Sequence, residues 1–581
     1  MPVLRKAMNK KTLIIAIVAI TGIAGAIWFF NDSKNKLYAY VPKESIAVGK
    51  VSIVSLFKKM DFEKIKKQDV VADAMDKIKD EAPKFFKEVM ESPDKSGVDF
   101  KVDPVVFFSL DEDEVNNMQG GILLAVDNKE NIKKLIENIG ESAGADYTFR
   151  EDKDMNKAYP SEENDREHAF AWNNDVLVIT FKEGYKNETN ISNYAEKILS
   201  LEKTNNIYET KGFGQFVKNS GDVDFFVNMD QIVKILNNNV GLKELSKNNA
   251  RALESIKNMD GFSAHLNFED ASVDLNSFVY YENPEKVDKL LKGNLDKKYT
   301  DYLTSNGKSV GAFGASLDAQ TLIQMTESVV GNEDINEVVI PDYTMKDILK
   351  MLTGEFAVSV SEFKEIEVTE MDMDYETFEM YEVKRKRMMP VFNLQLGISK
   401  PSDIKKIIEF MASNNYQIKS DGGVYSINSE LGDMYIVPQN DRLIISTDPK
   451  AANIKNGNPW QKPSNENITK TLTENAMAFY LSLNPDDYPL ESMGGKMSKK
   501  ASNFMGMMQD LTMVSTDNDK SVVRLNLKKG EGNSLYRLVN GILELGDFDN
   551  LFDSNSATTE ETPYMEEEPA AVYDTAVEYV Q

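Results

Sequence analysis

The apolar and polar positions along the chain begin with one long uninterrupted apolar run. Leu13–Phe30 contains no charged residue, and four basic residues precede it: Arg5, Lys6, Lys10 and Lys11. About 18 apolar residues are enough to cross a bilayer as a helix, and basic residues on the leading side predict an N-terminus in the cytoplasm. Residues 1–30 are therefore predicted to be a signal anchor or a signal peptide, with the rest of the chain outside the cytoplasmic membrane.

The sequence leaves open whether this segment is removed. Ala24-Gly25-Ala26 fits the small-x-small rule for signal peptidase, which would cut after Ala26. The apolar run continues beyond that point, and Trp28 suits an anchor at the membrane–water interface. The chain is thus expected to be either a single-pass membrane protein, with most of the chain in the periplasm, or an exported protein. Its first residue is either Met1 or Met8.

After this run, two distant stretches share a pattern of an apolar strand followed by an amphipathic helix. Ile122–Glu137 reads ILLAVDNKENIKKLIE, and Leu394–Glu409 reads LQLGISKPSDIKKIIE. Apolar residues at i, i+3, i+4 and i+7 predict one buried helix face in each copy. These residues are Ile132, Leu135, Ile136 and Ile139 in the first copy, and Ile404, Ile407, Ile408 and Met411 in the second. We expect Asp403 to be the N-cap of the second helix, and Asn131 or Asp127 that of the first.

Further blocks repeat in the same order, which predicts an internal duplication. The matched blocks are 174–180 with 440–446, 223–229 with 477–483, and the hairpins 262–281 with 511–527. The hairpins are expected to turn at Glu269-Asp270 and at Asn518-Asp519, and a terminal helix is expected to close each copy. The opening strands match more weakly, Ala47-Val48-Gly49 against Ser309-Val310-Gly311.

The duplication divides the chain into a first module at 37–297 and a second at 301–548. Each mixes hairpins with packed helices, which predicts an α+β fold of two tandem related modules with largely antiparallel sheet. A chain of 581 residues is also long enough for more than one ordinary domain. Two copies of one exported module favour a function as a scaffold or as a binding protein.

The second module contains a segment, 356–396, whose polar and apolar residues alternate with a period of two. This pattern predicts a long two-stranded ribbon turning near 372–376. Glu365, Glu367 and Glu370 are expected to face the basic run 384–387 across it. The ribbon is either a solvated hairpin or a protruding contact surface for a partner. Its candidate contact residues are Met371, Met373, Tyr375, Phe378, Met380 and Tyr381.

Charge and composition exclude several classes of function. The net charge is −27, and an acidic body repels the phosphate backbone of nucleic acids. The segment 549–581 is acidic, with little apolar pattern, and is predicted to be a disordered tail. The chain has no Cys, so disulfides, zinc–thiolate sites and thiol nucleophiles are excluded.

The residues carry no recognisable catalytic, metal-binding or cofactor-binding motif. The two histidines, His168 and His265, fall in different blocks, and no Gly-x-Ser-x-Gly elbow is present. Gly307-Lys308-Ser309 matches only the end of a phosphate loop, because Tyr302 stands where the first glycine belongs. We therefore assign no catalytic residue, no metal ligand and no cofactor from the sequence.

The segment Val41–Val51, VPKESIAVGKV, follows shortly after the export signal and is followed by Ser55-Leu56. It resembles the opening of a group of large uncharacterised bacterial envelope proteins, Pro-x-[Asp/Glu]-[Ser/Ala]-hydrophobic-x-Val and then a Ser-Leu helix. The resemblance would extend over residues 37–548. It implies an exported domain without an established activity, so it transfers no functional residue. Members are often lipoproteins, from which the absence of Cys here departs.

Together these patterns favour a non-enzymatic scaffold or binding protein of the cell envelope, with an envelope protein as its partner. Two alternatives stay open. A carrier of a lipid or another apolar ligand would need a continuous apolar cavity between the modules. A carboxylate-dependent hydrolase would need two acids facing each other across a cleft.

Overall fold

The computed structural model describes residues 35–545, with gaps at 70, 73–87, 90–91, 111–117, 153, 162–167, 184–190, 239–256, 287–289, 331–334, 375–376, 415–417, 430–431, 457–459 and 490–498. The predicted signal segment Leu13–Phe30 and the predicted disordered tail 549–581 lie outside the described residues. Within the described part, no helix is both long enough and apolar enough to span a membrane.

The described residues of the first half form ten strands. They are β1 (Ala47–Val51), β2 (Val105–Leu110), β3 (Met118–Ala125), β4 (Tyr147–Asp152), β5 (Met155–Pro160), β6 (His168–Trp172), β7 (Val176–Glu183), β8 (Val223–Asn228), β9 (Met259–Phe268) and β10 (Ser272–Tyr281).

The second half forms β11 (Gly311–Ser316), the short pair β12 (Val338–Ile340) and β13 (Tyr343–Thr344), and nine more strands. These are β14 (Leu352–Met373), β15 (Met380–Ile398), β16 (Ile418–Asp421), β17 (Val424–Ser429), β18 (Gly432–Pro438), β19 (Arg442–Ser446), β20 (Met477–Ser482), β21 (Met508–Asp517) and β22 (Lys520–Leu527).

Helices connect these strands, and those within the described residues are as follows. In the first half they are α1 (Ile53–Met60), α2 (Phe62–Ile65), α3 (Lys129–Ala143), α4 (Ile191–Leu199), α5 (Phe213–Phe216) and α6 (Met229–Asn238). In the second half they are α7 (Ala319–Val330), α8 (Met345–Leu349), α9 (Pro401–Ser413), α10 (Glu466–Thr473), α11 (Lys499–Gly506) and α12 (Ser534–Leu545).

All strands except β12 and β13 belong to one continuous antiparallel sheet of 20 strands. In the first half the spatial order is β4-β5-β6-β7-β3-β2-β1-β8-β9-β10. In the second half it is β16-β17-β18-β19-β15-β14-β11-β20-β21-β22. Element by element, the second order repeats the first, so the two halves share one topology.

The halves meet where β10 pairs with β22. Asn276 lies opposite Val522 in this seam. Asn276 faces His265 on β9, and Val522 faces Val514, the corresponding residue of β21. Asn276 and Val522 therefore occupy equivalent positions in the two halves. The pairing is therefore symmetric about one residue pair. An antiparallel seam between equivalent edge strands protects both edges and joins the two halves into one sheet.

Each half has its own apolar core under the sheet. Phe107, Phe213 and Phe226 are fully buried in the first half, and Tyr299 and Leu472 in the second. Most of each predicted helix face on α3 and α9 is buried: Ile132, Leu135 and Ile136 in one, Ile404, Ile407 and Ile408 in the other. The fourth residue of each face, Ile139 and Met411, is half-buried against the same cores. The α+β class with largely antiparallel sheet is confirmed. The boundaries at 37–297 and 301–548 stay a prediction.

Both predicted helix N-caps are wrong. Asn128 caps α3, because its side-chain oxygen accepts hydrogen bonds from the backbone N–H groups of Glu130 and Asn131. The N-cap of α9 is Lys400, and Pro401 follows it at the first helical position, where a missing N–H costs nothing. Asp403 instead lies in the first turn of α9.

Two other expectations need correction. Ala47 pairs with Val227 and Gly311 with Leu481, so the equivalent of Ala47 is Gly311 rather than Ser309. The sequence alignment of the opening strands is thus displaced by two residues, since one short alternating strand fits at either register. A terminal helix, α12, closes the second half. In the described residues after β10, the first half has only a 3-10 turn at Pro284–Lys286.

Candidate functional site

The ribbon formed by β14 and β15 extends beyond the sheet. β14 pairs with β11 through Glu355–Val360, and β15 pairs with β19 through Asn393–Gly397. Beyond these contacts, the strand segments Glu362–Met373 and Met380–Val391 pair only with each other. At about 3.3 Å per residue, each arm continues for about 40 Å past the sheet. A long ribbon is confirmed. Asp372 and Met373, at the start of the predicted turn 372–376, are still paired with Tyr381 and Met380, so the strands continue further than predicted.

A bulge separates the ribbon from the sheet. The register shifts between Val360 and Glu362, where β14 advances by two residues and β15 by one. Side chains of β14 with the same parity therefore lie on opposite faces before and after the bulge, whereas those of β15 stay on one face. The side chains of Ser359 and Ser361 are buried under the sheet, whereas Glu365 and Glu367, at the same parity, are exposed. The bulge thus turns the odd-numbered residues of β14 outward along the ribbon.

Cross-strand ion pairs cover one face of the ribbon. Lys384 Nζ lies 2.7 Å from Glu367 Oε1, and Lys386 Nζ lies 2.7 Å from Glu365 Oε1. On the other face, the Arg385 guanidinium binds the Asp372 carboxylate. Bonding to Lys384 lowers the pKa of Glu367, and the ion pair raises the pKa of Lys384 in turn. The expected pairing of Glu365 and Glu367 with the basic run is present, while the Glu370 side chain lies outside the described part.

The end of the ribbon is apolar and exposed. Phe378 is 74% exposed in the turn, and its φ of 57° is in the left-handed region that few non-glycine residues occupy. Met371, Met380 and Tyr381 are 57%, 56% and 49% exposed. Met373 is only partly exposed and pairs with Met380. Tyr375 lies outside the described residues.

The corresponding hairpin of the first half, β2–β3, is short. β2 ends at Leu110 and β3 begins at Met118, and the two strands pair directly with their neighbours β1 and β7. Residues 111–117 are outside the described part. The long ribbon is therefore an addition to the second half of a topology that the two halves otherwise share.

A second constellation, which the sequence did not reveal, lies inside the first half. Lys50 on β1, Asp224 on β8 and His265 on β9 stand side by side across three neighbouring strands. Lys50 Nζ lies 2.8 Å from Asp224 Oδ2, and His265 Nδ1 lies 2.7 Å from Asp224 Oδ1. All three side chains are buried. The Gly221 N–H also donates to Asp224, so the carboxylate has three partners.

The chain of contacts continues from His265 to a serine. Ser263 Oγ lies 3.1 Å from His265 Nε2 and 2.8 Å from the Tyr280 hydroxyl. The connectivity Ser263–His265–Asp224 is that of a hydrolase triad. However, Ser263 is completely buried and His265 is stacked on Phe216, so no substrate atom can reach the hydroxyl in this conformation. The arrangement holds the interior of the sheet together through satisfied polar groups.

Asp103 lies at the edge of this constellation. Its carboxylate accepts a hydrogen bond from the Ser52 hydroxyl at 2.8 Å and lies 3.7 Å from Lys50 Nζ. Burial raises the pKa of Asp103, and the bonds from Ser52 and Lys50 oppose that rise. Lys50 is thus held between two carboxylates, of which Asp224 is the nearer.

Sequence reasoning missed this cluster for a definite reason. Ser263 and His265 are alternate residues of one strand, and Asp224 comes from the neighbouring strand 41 residues away. Only the strand register brings them together. The other histidine, His168, lies apart from the cluster, with its Nε2 2.6 Å from the Tyr147 hydroxyl.

Two open clefts lie on the surface of the described part. One, of 270 Å³, lies between α11 and α12 and is lined by Phe504, Met507 and Arg537 among others. The second, of 450 Å³, is lined by residues of the β21–β22 turn and by Tyr281 and Leu291. Among the described residues, no group of three or more His, Asp or Glu side chains is placed to hold a metal ion.

Comparison with known proteins defines the family but not the activity. The chain belongs to the family described as domain of unknown function DUF4836, whose model matches residues 38–535. No curated protein matches the chain.

Two solved structures, crystal forms IV and III of TP0453, are similar to parts of the chain. Both are 10% identical to it. Form IV covers 42% of this chain and 79% of its own, with a TM-score of 0.19. Form III covers 43% and 81%, with a TM-score of 0.20.

Proposed function

We propose that this protein is a non-enzymatic binding protein of the cell envelope, which contacts a protein partner through the end of the β14–β15 ribbon. The observation that carries the proposal is the exposed apolar group at that end, formed by Met371, Phe378, Met380 and Tyr381. Flexible Met and aromatic side chains are favoured as anchors in protein interfaces. On a free-standing ribbon they are accessible without any rearrangement of the sheet.

The location in the envelope rests on the apolar run Leu13–Phe30 and on the basic residues before it. Whether uncleaved or cut after Ala26, this segment would direct the body of the chain across the cytoplasmic membrane. A ribbon that extends about 40 Å from the sheet would then reach a partner at some distance from the body.

The experiment that tests the proposal is site-specific photo-crosslinking in intact cells. A photoreactive amino acid at Phe378 should link the full-length chain to one protein partner in a discrete product. The same amino acid at Phe225, which is 41% exposed on β8, is the matched control and should give no such product. Identical crosslinks from both positions, or none from Phe378, would contradict the proposal.

Affinity for the partner so identified then measures the contribution of the apolar end. The triple variant Met371→Ser, Phe378→Ser and Met380→Ser should bind about 30-fold more weakly, because loss of one interface hot spot typically removes about 2 kcal/mol. The control variant Val338→Ser, Val339→Ser also removes exposed apolar groups, at 64% and 52% exposure, and should bind normally. Both variants should unfold at the same temperature as the original chain.

A further inference from the structure

Among the described residues, no strand pairs with the outer backbone edge of β15 along the ribbon. From Met380 to Met389 this strand pairs only with β14 in the described structure. Thr447, the residue after β19, bonds Phe392 and the carbonyl of Pro390, and β19 itself pairs from Asn393 onward. Every residue from Thr377 to Arg387 is exposed except the half-buried Val383. The β14 edge is more covered at its base, where Phe363 lies against Tyr488. An exposed edge of this length can pair with another strand.

The charges along this edge are complementary to themselves in the antiparallel direction. Glu379 and Glu382 precede Val383, and the basic run 384–387 follows it. When two such strands pair antiparallel with Val383 opposite Val383, Glu382 faces Lys384, Tyr381 faces Arg385, and Glu379 faces Arg387. Each of these contacts occurs twice by symmetry. Opposite charges placed directly across an antiparallel pair are stabilising.

Basic residues on an edge strand usually prevent such pairing. Here the cations are already neutralised within the ribbon by carboxylates, as in the bonds of Lys384 to Glu367 and of Lys386 to Glu365. A parallel pairing in register would set Lys384 against Lys384 and is disfavoured. The charge order therefore selects one orientation and one register, the antiparallel pairing about Val383.

We infer that two copies of this chain associate through the outer edges of β15, which join the two ribbons into a four-stranded antiparallel sheet with its two-fold axis at Val383. The pairing extends the period-two alternation, so Val383 meets its symmetry mate on the same face of the four-stranded sheet. This inference uses the edge of the strand, so it does not depend on the proposed function of the apolar end.

The absence of Cys from the chain allows a direct test of the register. In the full-length Val383→Cys variant the thiol would be unique, and Cα atoms directly opposite in an antiparallel pair are about 4.5–5.5 Å apart, within reach of a disulfide. Mild oxidation should therefore convert this variant to a covalent dimer. In the Lys386→Cys control, the symmetry-related residues are six positions apart, about 20 Å, and should not crosslink. Equal crosslinking of both variants, or none of Val383→Cys, would overturn the inference.

Charge exchange tests the same pairing without a covalent link. Glu382→Lys and Lys384→Glu each place like charges opposite one another at two symmetric contacts, and each should raise the dimer dissociation constant about tenfold. A mixture of the two variants should recover the original affinity, since a heterodimer restores both pairs. The control Lys405→Glu makes the same change of charge at an exposed residue of α9, outside the ribbon, and should leave dimerisation unchanged. A wild-type chain that stays monomeric in sedimentation equilibrium, or variants that do not rescue each other, would refute the pairing.

Discussion

The two halves of the sheet have the same strand order, but different types of side chain are buried at equivalent positions. In the first half, Lys50, Asp224 and His265 lie abreast on three neighbouring strands. The register of the second half puts Gly314, Ala478 and Val514 at the corresponding positions. A Cβ on Gly314 would lie 2.8 Å from a methyl group of Leu295 and 3.2 Å from one of Leu472, so apolar side chains fill the space next to it.

The comparison shows that the same backbone topology forms with a buried polar cluster or with apolar packing at these positions. A buried ion pair is rarely more stabilising than a well-packed apolar group of the same volume. The second half therefore uses the apolar arrangement, while the first half keeps a polar cluster whose members satisfy one another. What the polar cluster adds is dependence among its members: removal of Asp224 leaves Lys50 and His265 buried without their shared partner.

The largest expected effect comes from the removal of the central carboxylate. Asp224→Ala leaves Lys50 and His265 buried without their shared partner, and should lower the free energy of unfolding by about 3–5 kcal/mol. The measurement is urea denaturation of the full chain. The triple variant Lys50→Met, Asp224→Ala and His265→Val imitates the second half and should lose less stability than Asp224→Ala alone. A triple variant less stable than the single one would show that the two interiors are not interchangeable.

The helices that follow β3 and β15 differ in their capping. Asn128→Ala removes the side-chain acceptor for two N–H groups at the start of α3 and should lower the free energy of unfolding by about 1 kcal/mol. The matched change Lys400→Ala removes no capping bond from α9, and its effect should lie within the error of the same measurement. If the two substitutions lower the free energy of unfolding equally, the Asn128 cap does not stabilise the first half more than Lys400 stabilises the second.

Asp103 predicts a pH dependence specific to the first half. Because burial raises its pKa, the folded chain holds this proton to a higher pH than the unfolded chain does. The contribution of Asp103 to stability is therefore present below the unfolded pKa and is lost as pH rises through the folded pKa. The stability of Asp103→Asn relative to the original chain should rise over that interval above about pH 4. Parallel stability curves for the two proteins would contradict this assignment.

The smallest effect is expected on the ribbon. Lys386→Ala removes an exposed ion pair with Glu365, in which both side chains are more than half exposed, and such pairs add little to stability. Its thermal unfolding should coincide with that of the original chain, in contrast to Asp224→Ala. A clear loss of stability would mean that the ribbon charges support the fold rather than a surface.

Much of the architecture could be predicted from local patterns. Ile132, Leu135 and Ile136 in one helix and Ile404, Ile407 and Ile408 in the other are spaced for one buried face, and all six are buried. The alternation of 356–396 predicted the long ribbon, and the hairpin turns at Glu269-Asp270 and Asn518-Asp519 fall between β9 and β10 and between β21 and β22. The apolar candidates at the ribbon end were also recognisable, although their role in binding stays a proposal.

The sequence by itself determined the class of each element, since helix and strand periodicities are local properties of neighbouring residues. Only the tertiary structure decided the seam centred on Asn276 and Val522, the bulge after Val360, and the meeting of Lys50 with Asp224. Each of these depends on register, and a shift of one residue would move every side chain to the opposite face of the sheet. Register is set by the packing of distant strands upon one another, which no short stretch of the chain contains.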